Sequence, residues 1–185
     1  MIGTHNSGTG EPSANWYYKL LIPFAKCQKY NINNQLIYGS KLFDLRIRKI
    51  PNNLNDYILC HGIWKSSTTL NKVLDTINNY GIRYNTTYKV LITYEGSLNN
   101  IDIEIFKTHI KSKLNRYTNI HLVQIAIKKP KWNVIYSDNI TNIRQGFKCL
   151  DFSSWHTFIP IPWLWSKFYT KNTESDNIYT LIDFL

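Results

Sequence analysis

The chain is short of acid. Asp and Glu number 12 against 22 Lys and Arg, a formal net charge of +10. That deficit points to an anionic partner: nucleic acid, an acidic membrane surface or a phosphorylated small molecule all fit. Cysteine is scarce as well. Cys27, Cys60 and Cys149 stand far apart, so they form neither a metal-binding pair nor a disulfide framework. Their odd number suits a reducing compartment, where they serve as small buried apolar residues. No stretch approaches the roughly 20 apolar residues that span a bilayer. No charged segment followed by an apolar run opens the chain as a signal peptide, and Met1-Ile2 fails the myristoylation pattern. The expected location is therefore cytoplasmic, at most peripheral on a membrane. No repeat or low-complexity linker divides the chain.

What is present is a core. Hydrophobic residues make up 43% and aromatic residues 15% of 185 positions, which excludes a disordered chain and suits one domain over residues 1–185. Leu42, Asp44 and Arg46 alternate with Phe43, Leu45 and Ile47, a strand with one polar and one apolar face. PNNLND at 51–56 reads as a turn and YILCHG at 57–62 as a short buried strand. Leu70, Val73, Leu74 and Ile77 have helical spacing within 69–80, as do Ile103, Phe106, Ile110 and Leu114 within 101–114. Further strands are expected at 87–96, 121–127, 146–152 and 178–185. Strands alternating with helices predict an α/β fold of mostly parallel strands. The chain is too short for eight full βα units, so the expectation is a shortened, irregular TIM-like barrel.

The opening MIGTHNSGTG has no apolar face. It reads as a strand stub entering a loop, with Gly3, Gly8 and Gly10 allowing tight turning. His5, Arg46, His61, Glu95 and Asp183 each fall near the C-terminal end of an expected strand, where parallel barrels gather catalytic groups. Two histidines, an arginine and carboxylates on one rim suit phosphodiester cleavage. The reaction needs a base, an acid and a cation for the phosphoryl oxygens. Histidine serves both proton transfers because its ordinary pKa lies near neutrality, and the arginine fork matches a phosphate.

Ile2-Gly3-Thr4-His5-Asn6-Ser7-Gly8, then Gln35-Leu36 with Gly39, Phe43-Asp44-Leu45-Arg46-Ile47 and Leu59-Cys60-His61-Gly62, together resemble the X domain of phosphatidylinositol-specific phospholipase C. The likeness runs from position 2 to about 96 and returns faintly at 144–150 and 182–184. It implies that His5 is the general base on an inositol 2-hydroxyl, that His61 is the acid for the leaving alkoxide, and that Arg46 steadies the phosphate beside Asp44. It implies that Asp183 orients His5, as a triad carboxylate does. The products would be diacylglycerol and inositol 1,2-cyclic phosphate. Asn6, Glu95, Lys148 and Asp151 are the expected substrate contacts, and Trp163 and Trp165 the expected membrane contacts. Bacterial members carry Asp where this chain has Asn6, which implies a less well oriented His61. The calcium-dependent animal enzymes carry Asn there, so Asn6, Asp44 and Glu95 form an alternative Ca²⁺ set. Arg46 stands where those enzymes place an acidic ligand, so the expectation is no cofactor, with Glu95 pairing with Arg46 or a substrate hydroxyl. The expected partners are an inositol phospholipid and a membrane surface, with no nucleic acid, and the chain is expected to act as a monomer. The competing readings are a metal-dependent glycerophosphodiesterase or sphingomyelinase-D-like lipase and a decayed X domain that only binds membrane or phosphoinositide.

Overall fold

KLFDLRIRKI builds the strand from which the rest of the fold is organised. The computed structural model describes residues 2–50, 53–96, 98–127, 142–145, 147–148, 170–171 and 178–182. Within them β2 runs Leu42–Ile50. Along one edge, residues 42–47 pair in parallel with β5, Tyr88–Tyr94. The other edge is shared. Leu42 and Phe43 pair in parallel with β1, Ile2–Thr4, and Ile47–Ile50 pair antiparallel with β3, Asn53–His61. β4, Trp64–Thr69, continues antiparallel from β3.

The parallel neighbours extend on both sides. β6, Ile120–Ile127, lies beside β5. On the far side of β1 come β10, Ile178–Ile182, and then β7, Asn142–Gln145. These strands form one sheet of 8. A separate pair joins β8, Phe147–Lys148, to β9, Thr170–Lys171. The fold is mixed α/β with mostly parallel pairings, and it departs from the expected barrel in two ways. Among the described residues no pairing joins β6 to β7, so the sheet is open there. The β2–β3–β4 stretch is an antiparallel meander, because Ile50 lies opposite Asn53 and leaves no room for a crossover helix. The strand thus begins inside the segment expected to be a turn.

The alternation along β2 sets up the two faces. Phe43, Leu45 and Ile47 join Leu59 of β3 and Val90 and Ile92 of β5 in one buried core. Two long helices cover most of it. α3, Leu70–Tyr84, supplies Leu70, Val73, Leu74 and Ile77, and α4, Asn100–Leu114, supplies Phe106, Ile110 and Leu114. Asn99 caps α4 by accepting the Asp102 amide at 2.8 Å, satisfying one of the donors a helix start leaves open. Asp44 and Arg46 belong to the opposite face. Both are buried all the same, so each needs a charged or hydrogen-bonding partner.

Short helical pieces between β1 and β2 were not expected. 3₁₀ turns span Ser7–Gly10 and Trp16–Leu21, followed by α1, Ile22–Ala25, and α2, Ile32–Ile37. Glu11 ties this region down, accepting the Ile32 amide and the Thr68 hydroxyl, each at 2.9 Å. The left-handed residue after β1 is Asn6 (φ 47°, ψ 50°), not one of the glycines. Gly10 is needed for close approach instead: a Cβ there would stand 1.8 Å from the Tyr30 carbonyl oxygen.

Candidate active site

β1 ends at Thr4, and the chain then turns sharply at Asn6. The Asn6 amide donates to Asp44 Oδ2 at 3.0 Å, so the β1 loop is pinned to the polar face of β2. Gln28 Nε2 holds the His5 carbonyl at 2.9 Å. The His5 ring thereby meets Arg46, whose NH2 lies 2.9 Å from His5 Nε2. A guanidinium has no acceptor. His5 Nε2 is therefore the acceptor, and Nδ1 carries the ring proton.

Arg46 sits between two carboxylates. Its Nε is 3.5 Å from Asp44 Oδ2, and its NH1 is 3.2 Å from Glu95 Oε1. Burial opposes the Arg46 charge, but Asp44 and Glu95 outweigh it and raise the pKa above the ordinary arginine value. The cation is therefore fixed in charge and in place. Glu95 follows β5 directly, so the parallel β2–β5 register sets this pair.

His61 arrives differently from the expectation. It ends an antiparallel strand, not a parallel one: Leu59 lies opposite Ile47, so the last residues of β3 return toward the level of Arg46. Its Nδ1 donates to the Ala25 carbonyl at 2.7 Å, which leaves Nε2 as the nitrogen for chemistry. Burial lowers the His61 pKa, and the charge of Arg46 lowers it further, against the Ala25 hydrogen bond and Glu95. Asn6 does not orient it. The Asn6 amide nitrogen donates to Cys27 Sγ at 3.9 Å, and the carbonyl at the end of α1 takes the orienting role instead.

The model of the family described as phosphatidylinositol-specific phospholipase C, X domain, matches residues 9–131, more than half of the chain. The chain belongs to this family. The match begins just past His5 and holds Asp44, Arg46, His61 and Glu95. Solved structures of bacterial phosphatidylinositol-specific phospholipase C share the fold of this X domain. A pentafluoro-Phe-containing form from Staphylococcus aureus has 16% identity and a TM-score of 0.60, over 97% of this chain and 70% of that one. A double mutant of the S. aureus protein has 13% identity and a TM-score of 0.65, over 100% and 84%. The Listeria monocytogenes protein has 18% identity and a TM-score of 0.57, over 98% and 71%. A comparison with curated proteins gave no match.

The X domain's acidic groups do not fit calcium as arranged. The position between Asp44 and Glu95 is filled by the Arg46 guanidinium, and a second cation there would meet its full repulsion. Among the described residues, no group of three or more His, Cys, Asp or Glu side chains is placed to hold a metal ion. Asn6 Oδ1 and Asp44 Oδ1 are buried acceptors to which none of the described residues donates. The Cys60 thiol is pushed up to about 12, chiefly by burial, and is no nucleophile at neutral pH.

For several expected site residues the structure gives no placement. Asp151, Asp183, Trp163 and Trp165 lie outside the described residues, as does the side chain of Lys148. His109, expected at the surface, is half-buried because Nδ1 packs 3.1 Å from the Tyr57 hydroxyl. Other groups at the site were not anticipated. The Ala25 carbonyl carries no signal in side-chain chemistry. Arg48 did carry one, since it lies two residues past Arg46 and so on the same face. Trp16 (73% exposed), Leu20 (68%) and Ile63 (69%) also escaped notice. Ile63 is in the turn right after His61, and the 3₁₀ turn holding Trp16 and Leu20 packs on β4.

Proposed function

We propose that this X domain cleaves phosphatidylinositol, or a related inositol phospholipid, by attack of the headgroup's own 2-hydroxyl. The carrying observation is the 2.9 Å contact between Arg46 and His5 Nε2, which puts the cation and the basic nitrogen at one point. A phosphodiester drawn to Arg46 brings its neighbouring hydroxyl to His5. His5 Nε2 takes the hydroxyl proton, the oxygen bonds to phosphorus, and the bond to the glycerol oxygen breaks. His61 Nε2 gives that oxygen its proton. The products are diacylglycerol and inositol 1,2-cyclic phosphate. Arg46 neutralises charge on the phosphoryl oxygens throughout. No metal takes part, because the guanidinium fills the cation position.

Asp183 is assigned to His5 Nδ1. The support is register: Thr4 lies opposite Ile182 in the parallel β1–β10 pair, and His5 and Asp183 are the residues that follow these two in the sequence. Asn6 and Asp44 supply acceptors for ring hydroxyls, and Lys148 and Asp151 complete the headgroup contacts. Glu95 keeps Arg46 aimed. The domain works at a membrane from the cytoplasmic side, as a monomer of one domain. The membrane contact is assigned to the exposed Trp16, Leu20 and Ile63 (Ile63 lies two residues past His61), together with Trp163 and Trp165, and the net charge of +10 favours anionic lipid.

Turnover of phosphatidylinositol vesicles tests this reading with chelator or with added Ca²⁺. The expected result is turnover that chelation leaves unchanged, and a loss of about 100-fold or more in His5→Ala and in His61→Ala. Vesicle binding without turnover in either condition would favour the membrane-binding alternative. Full dependence on Ca²⁺ would reject the role of Arg46.

A further inference from the structure

Two residues beyond Arg46, a second guanidinium makes bonds of a different kind. Arg48 Nε donates to the Glu95 carbonyl at 2.7 Å, and its NH2 donates to the Gly62 carbonyl at 3.1 Å. The same two residues are joined again, since the Gly62 amide donates to Glu95 Oε2 at 2.6 Å. Gly62 follows His61 and takes the left-handed conformation (φ +59°) that lets β3 turn into β4. Among the described residues, β3 pairs with β2 and β4 and has no ladder with β5. The turn bearing His61 therefore owes its attachment at the end of β5 to these bonds and not to a strand ladder. One planar fork spans two carbonyls that lie just past the ends of β5 and β3, a geometry that suits arginine and not lysine.

We propose that Arg48 is a positioning residue, clamping the His61–Gly62 turn to the end of β5 so that His61 Nε2 stays at the leaving oxygen. The inference rests on the phosphodiesterase reading for the role of His61. The clamp complements the Ala25 carbonyl: Ala25 sets the rotation of the ring, and Arg48 sets where its backbone stands. Arg48 bonds Glu95 only through its main-chain carbonyl, whereas the Arg46 grip uses the Glu95 carboxylate. Loss of the clamp should thus weaken proton delivery to the leaving group and spare substrate binding.

The test uses two substrates with the same inositol phosphate headgroup. One releases a diacylglycerol alkoxide, which needs a proton, and the other a nitrophenolate, which departs without one. Arg48→Ala should lower kcat on the first by about 30- to 100-fold, as expected for a misplaced catalytic group. On the second it should lower kcat by less than about 3-fold, with KM little changed on both. Arg48→Lys, which keeps the charge and loses the fork, should behave like Arg48→Ala. Equal losses on the two substrates, or full rescue by lysine, would overturn the inference. If the wild-type protein turns over neither substrate, the phosphodiesterase reading fails. Hydrogen exchange then judges the clamp alone: the Gly62 amide should exchange about 10-fold faster in Arg48→Ala, and unchanged exchange would overturn it.

Discussion

At the scale of single residues, the site shows which chemistry strand alternation can reveal. Asp44 and Arg46 were legible because two opposite charges on one face of an otherwise apolar strand must answer each other or a ligand. The partner that orients His61 was not legible, because it is a main-chain carbonyl at Ala25 and any residue could supply it. The left-handed turn at Asn6 was misassigned to glycines for a similar reason: asparagine also tolerates that conformation. The half-buried His61 carries its own prediction. Its pKa in the folded protein lies below the ordinary value, so the unfolded chain binds the proton more readily. Burial of neutral His61 is therefore fully tolerated above about pH 6.5 and is penalised as the pH falls below it. Urea midpoints at pH 7.5 and 5.5 should differ less in His61→Gln than in wild type. His109, also lowered chiefly by burial, remains in both proteins, so parallel pH dependence in the two would contradict the assignment.

At the scale of elements, helices α3 and α4 and strands β2, β5 and β6 followed from periodicity, since each buries an apolar stripe or face. β4 did not. WKSSTT has one large apolar residue, and Ser66 and Thr68 are buried through polar partners on the segment before the second 3₁₀ turn. Trp64 Nε1 donates to Ser13 Oγ at 3.0 Å, and Ser66 Oγ donates to the Pro12 carbonyl at 3.0 Å. Such a strand is specified by a distant stretch of chain and not by its own pattern. Glu11 is the test of that dependence, because its two oxygens hold the start of α2 and Thr68 of β4 together. Glu11→Ala should lower unfolding stability by about 2 kcal/mol, measured by urea denaturation. A change below about 0.5 kcal/mol, typical of an ordinary surface substitution, would mean the segment is held by something else.

At the scale of the whole molecule, the parallel pairings and the cover by two helices were foreseen, and closure into a barrel was not found among the described residues. The direction of β3 was also missed. A hairpin and a crossover both carry a strand past a rim, and only the register between Ile50 and Asn53 distinguishes them. That difference matters for function, because it sets His61 beside the exposed turn at Ile63. A Trp16→Ala/Leu20→Ala double variant should bind anionic phospholipid vesicles about 10- to 100-fold more weakly, from loss of buried apolar area. Turnover of a water-soluble inositol phosphodiester should be unchanged. Equal vesicle binding in sedimentation assays would remove these two residues from the membrane contact. The central claim is that His5, Arg46 and His61 act on one phosphorus atom. Phosphorus NMR of the first turnover of phosphatidylinositol in chelator tests it most directly. The account predicts the resonance of a five-membered cyclic phosphate ahead of any inositol 1-phosphate, and its disappearance in His5→Ala. Direct appearance of the acyclic monophosphate, or a cyclic product that persists without His5, would contradict it.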